Sequence, residues 1–70
     1  MPRYFFTAIY SDQAKILDRQ GTLVRDDATA IKVARKVFDD FRRDRRPEDP
    51  EVTIIVKNDE DEIIYRFPAN

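Results

Sequence analysis

The sequence predicts an α+β fold, ββαββ, with an antiparallel sheet and one helix packed on one of its faces. Three observations predict it. Residues 3–10, 51–57 and 62–68 are rich in aromatic and β-branched types that alternate between two faces, the period of a strand. Residues 27–45 place their apolar side chains at helical spacing. Turn-forming residues separate the blocks.

The first strand, RYFFTAIY, sends Tyr4, Phe6, Ala8 and Tyr10 one way and Phe5, Thr7 and Ile9 the other. Both sets are largely apolar, so a central strand is expected. Ser11-Asp12-Gln13 marks a turn, and residues 15–19 (KILDR) read as a weaker hairpin partner. Gly21, the chain's single glycine, is assigned to a turn leaving that strand.

Ala30, Ile31, Ala34, Val37, Phe38 and Phe41 form one stripe of the helix. Asp26 or Asp27 caps its start by accepting from free backbone amides. Acids begin the helix and Arg42, Arg43, Arg45 and Arg46 end it, an order that suits its dipole. Asp39→Arg43 is an i,i+4 pair of the favoured polarity; Arg35–Asp39 and Lys36–Asp40 have the reverse polarity. Pro47 and Pro50 stop the helix. The fourth and fifth blocks carry Val52, Ile54, Val56 and Ile63, Tyr65, Phe67 on single faces. The tetrapeptide Asn58-Asp59-Glu60-Asp61 joins them as a hairpin.

Seventy residues make one domain. A chain this short buries only about 60% of its unfolded surface, and small scaffolds are usually stapled by disulfides, a metal or a partner. Cys and His are absent, which removes disulfides and the usual ligands of structural zinc. An efficient core or self-association is left. The charged fraction is 39% but the net charge is only −1, against a general nucleic-acid coat or an acidic tail. No run reaches the roughly 20 apolar residues of a membrane span, and residues 4–10 are too short for a signal-peptide core. A soluble, cytoplasmic protein without membrane contact is expected.

One helix covers one sheet face, yet the apolar residues exceed one face. With Tyr4, Phe6, Ala8, Val52, Ile54, Val56, Ile63, Tyr65 and Phe67 under the helix, Phe5, Ile9, Ile55 and Ile64 remain as a second patch. Such a patch marks an interface unless twist and loops cover it, and the leading expectation is a small non-enzymatic interaction or regulatory module that forms a homodimer through this face, with another protein as the other partner.

Catalysis finds little support: without His or Cys there is no His-based triad and no thiolate nucleophile. The acids fall at helix caps and in a hairpin, where nothing shifts a pKa. The run Asn58–Glu62 lacks the glycine and spacing of a calcium loop. No cofactor is expected. The alternative to a protein interface is nucleic-acid binding, with Arg42, Arg43, Arg45 and Arg46 as phosphate contacts. Asp39, Asp40 and Asp44 lie among these bases and neutralise part of their field. Tyr4, Phe6 and Tyr10 could stack nucleobases, but no RNP-like motif surrounds them.

The opening Met-Pro-Arg-Tyr-Phe-Phe resembles the start of a short, uncharacterised domain-of-unknown-function family of alpha-proteobacteria. Asp18 and Gly21 match its Asp-x-x-Gly, Asp26 its helix-start Asp, and Ala30 and Ala34 its small helix residues. Asp59-Glu60 and Phe67-Pro68 match its acidic turn and apolar-Pro ending. The chain departs from the family at Ser11–Ala14, which lacks a Gly, at Val24-Arg25, at Asp61 in place of the hairpin Gly, and at Ala69. The resemblance implies a small α+β domain with no assigned activity and carries over no catalytic residue.

Overall fold

The computed structural model describes residues 2–68; Met1 and Ala69, which enter the resemblance above, lie outside them. The elements are β1 (Arg3–Tyr10), β2 (Lys15–Ile16), β3 (Thr22–Leu23), α1 (Asp27–Asp44), β4 (Val52–Lys57) and β5 (Ile63–Phe67). The class and the antiparallel sheet agree with expectation; the strand count does not. The expected second strand, 15–19, pairs only over Lys15–Ile16, and the chain rejoins β1 at Thr22–Leu23.

β1 is central. β4 pairs along one edge of it, from Phe5↔Lys57 to Tyr10↔Val52. On its other edge, Tyr10 N–H donates to the Ala14 carbonyl at 2.8 Å and the Pro2 carbonyl accepts from Val24 N–H at 3.2 Å. β2 and β3 are therefore two halves of one interrupted strand. Asp18 spans the interruption. Its Oδ2 accepts from Phe6 N–H at 3.2 Å, replacing a missing ladder partner, while its Oδ1 accepts from Gln20 and Gly21 N–H at 3.2 and 2.9 Å. Gly21 has φ +75°, and a Cβ there would stand 2.7 Å from Arg3 Cγ and 2.9 Å from Phe5 Cε1. A left-handed backbone and lack of space both require glycine. The Asp-x-x-Gly motif is thus the device that carries the chain across the gap.

Asp26 caps α1: its backbone is extended and its Oδ1 accepts from Thr29 N–H at 2.8 Å. Asp27 is left to accept a hydrogen bond from the Tyr4 hydroxyl. Ala30, Ala34 and Phe38 are the buried residues of the stripe. The two alanines, fully buried, bring the helix close to the sheet, and the Phe38 ring stacks on Phe67 with centroids 5.6 Å apart. Beneath them lie Tyr4, Ala8, Val52, Ile54, Val56 and Phe67. Full burial of side chains such as Ile54 and Val56 is worth about 1.5–3 kcal/mol each.

The β4–β5 hairpin holds one irregularity. Val56 pairs with Tyr65 but Lys57 pairs with Ile63, so Ile64 is an extra residue in β5. Such a bulge breaks the alternation of faces. In the turn, the Asn58 side-chain oxygen accepts from Glu60 and Glu62 N–H at 3.0 and 2.9 Å, and Asp61 takes the left-handed φ of 64°.

Candidate interaction surfaces

Directly paired residues project on the same face of a sheet. The face away from α1 therefore carries Arg3, Phe5, Thr7 and Ile9 from β1, with Lys15 and Leu23 beside them. β4 adds Thr53, Ile55 and Lys57, and β5 adds Ile63 and Arg66. Among the described residues no helix lies over it.

Three of the four expected interface residues, Phe5, Ile9 and Ile55, share this face. Ile64 does not. It packs with Tyr65 against the helix-side core, while Ile63 takes the outer position and is 60% exposed. The bulge exchanges the two isoleucines, and no residue in the local sequence announces it. Phe5 is half-covered, because the Gly21 backbone lies against its ring. With Thr7, Leu17, Lys57 and the hairpin turn it lines a groove of about 320 Å³.

The register aligns Ile9, Ile55 and Ile63 as a diagonal stripe across β1, β4 and β5. Every ionisable side chain at the strand positions of this face is a base: Arg3, Lys15, Lys57 and Arg66. Lys57 Nζ meets Asp61 at 3.2 Å. Arg3 donates to the Gln20 carbonyl. Lys15 and Arg66 have no ion-pair partner among the described residues. Sequence reasoning missed these four bases as a set because alternation shows their faces only once the register is known.

The arginines that end α1 turn to different partners. Arg43 pairs with Asp40 at 3.0 Å, in place of the expected Asp39, and Arg45 approaches Glu51 at 4.0 Å. The Arg42 guanidinium lies 5.8 Å from the centre of the Phe38 ring, within cation–π range. The Arg46 N–H donates to Asp49 Oδ2 at 2.9 Å, closing the turn after the helix. Arg42 and Arg45 border a shallow groove of about 330 Å³ with Phe38, Val52 and Pro68. Tyr4 and Phe6 face α1, so neither offers its ring on the open sheet face.

Two groups titrate away from their ordinary values, and one of them, Asp26, corrects the expectation that nothing shifts the acids at the helix cap. The hydrogen bond to Asp27, with burial second, raises the Tyr4 hydroxyl to about 12. Thr29, through its side chain and then its amide, lowers the Asp26 carboxyl. Both belong to the seating of the helix. Among the described residues no cluster of three or more His, Cys, Asp or Glu side chains is placed to hold a metal ion, and no helix is long and apolar enough to cross a membrane.

These features define a small α+β domain with one sheet face under a helix and the other open. The chain belongs to a family of domains of unknown function, DUF6894, whose model matches residues 3–70. No curated protein and no solved structure matches it.

Proposed function

We propose that the domain is a non-enzymatic interaction module that docks a protein partner on the helix-free face of its sheet. The diagonal of half-buried Ile9 and Ile55 and exposed Ile63, set among the bases Lys15, Lys57 and Arg66, carries this reading. An apolar centre inside a polar rim is the usual anatomy of a docking surface. The arginine end of the helix supports a nucleic-acid reading less well. Two of its four guanidiniums already face Asp40 and Glu51, which weakens the field offered to phosphates.

Self-association through the same face is the second reading. It is favoured by the 70-residue length and the lack of cysteine staples. Light scattering at high micromolar concentration tests it, with Ile55→Asp as the control. Ile55 is half-buried, and its charged replacement faces away from the helix-side core. A dimer that this change dissociates, with the helical circular dichroism intact, supports the second reading. A monomer overturns it. The module reading itself fails if backbone amide shifts at Ile9, Ile55 and Ile63 respond neither to concentration nor to any protein ligand.

A further inference from the structure

The charge of the open face points to the partner's chemistry. The chain as a whole is nearly balanced, with 13 bases and 14 acids. Yet Arg3, Lys15, Lys57 and Arg66 occupy the open face's strand positions and no acid does. Asp61 answers Lys57 at the hairpin end, and Asp18 and Asp59 stand beside that same end. Lys15 and Arg66, on the two outer strands either side of Ile9 and Ile55, are not so answered among the described residues. A second copy's open face offers Lys15 and Arg66 no acid at its strand positions, whereas a partner carrying carboxylates at that spacing answers both.

Shape narrows the choice further. The stripe crosses three adjacent strands in two diagonal steps of about 7–8 Å each. An α-helix with its side chains is roughly 10 Å across and rises about 5.4 Å per turn, so two to three turns match the stripe. This chain's own α1 already lies over the opposite face of the same sheet. The outer face also lacks a platform for nucleobases. Its one aromatic, Phe5, has the Gly21 backbone against its ring, and Ile9, Ile55, Thr7 and Thr53 are β-branched.

We infer that the open face receives an amphipathic α-helix of a partner protein, with an apolar stripe on Ile9, Ile55 and Ile63 and flanking carboxylates toward Lys15 and Arg66. The inference rests on the reading of this face as a docking surface and adds the partner's charge and shape.

A displayed library of helices tests it, with a fixed apolar stripe and flanking positions varied among Glu, Gln and Lys. It is selected against the intact domain, Ile55→Asp, and the double variant Lys15→Glu/Arg66→Glu, each checked by circular dichroism. We expect Glu-flanked helices to be enriched on the intact domain and lost on Ile55→Asp. On the double variant their affinity falls by about tenfold or more and Lys-flanked helices replace them. Enrichment that ignores flank charge but is lost on Ile55→Asp overturns the partner's charge and leaves the docking face standing. Enrichment that ignores Ile55→Asp, or no enrichment at all, overturns both. Duplex DNA or anionic vesicles shifting the Ile9, Ile55 and Ile63 amides where no helix does also overturns the inferred partner.

Discussion

Ile64 and Tyr65 are consecutive residues of one strand, yet both pack against the helix-side core. The extra residue opposite the Val56–Lys57 step makes this possible and leaves Ile63 on the other face. The pair Ile63 and Ile64 therefore separates surface from core within two positions. Ile64→Ala should cost about 1–2 kcal/mol, the loss of a half-buried aliphatic side chain. Ile63→Ser should stay within about 0.5 kcal/mol, as for other exposed positions. Urea midpoints of the two variants check this; equal losses would place the bulge elsewhere.

The fold was legible where periodicity was long. The eight residues of β1 and the eighteen of α1 give enough repeats to reveal both faces, and Ala30, Ala34 and Phe38 lie where their spacing put them. Two-residue strands show no period, so β3 leaves no signal in the sequence and residues 15–19 read as a longer strand than the two residues that pair. The open face was legible in Phe5, Ile9 and Ile55 but not in Ile63, because a bulge shifts parity without a required residue type. The choice between Asp26 and Asp27 as cap was undecidable locally. It is settled by a distant partner, the Tyr4 hydroxyl.

The turn built by Asp18 and Gly21 should be intolerant at both positions. Gly21→Ala puts a Cβ into Arg3 and Phe5 and holds a left-handed backbone that costs an L-residue roughly 1–2 kcal/mol before any clash. Asp18→Ala removes acceptors from three backbone N–H groups, one of them in the central strand. A loss of about 1–3 kcal/mol is expected. Hydrogen exchange at the Phe6 amide should speed up in both variants; unchanged exchange in Asp18→Ala would mean that the carboxylate does not bridge the strand gap.

The Asp26 cap sets an acid limb of stability. Its folded pKa lies below the ordinary 3.8, so the carboxylate form is favoured in the folded chain. The contribution is present above the unfolded value and is lost as the pH falls through the folded one. Asp26→Ala should lower stability at neutral pH and flatten the profile below about pH 4. Asp26→Ser, which also accepts from the Thr29 amide, should recover part of the neutral-pH loss and keep the flat acid limb. Equal acid slopes in wild type and both variants would remove Asp26 from this role.

The Tyr4–Asp27 hydrogen bond sets the opposite limb. Tyr4 is 2% exposed and is the contact through which β1 reaches the first turn of α1. Its pKa rises from 10.0 to about 12, so the protonated phenol is the form the fold holds. The resulting stability is complete below the unfolded value and is lost as the pH climbs toward the folded one. Wild type should therefore lose stability between about pH 10 and 12 more steeply than Tyr4→Phe, which carries no proton to lose there. The same substitution leaves Asp27 without its donor, so the variant should start from a lower urea midpoint at neutral pH. Ultraviolet titration gives an independent reading: the tyrosinate absorbance of the folded wild type should retain a step near 12 that Tyr4→Phe lacks. A wild-type-minus-variant step at the ordinary value of 10.0 instead of about 12 would show that the hydroxyl is not held by Asp27.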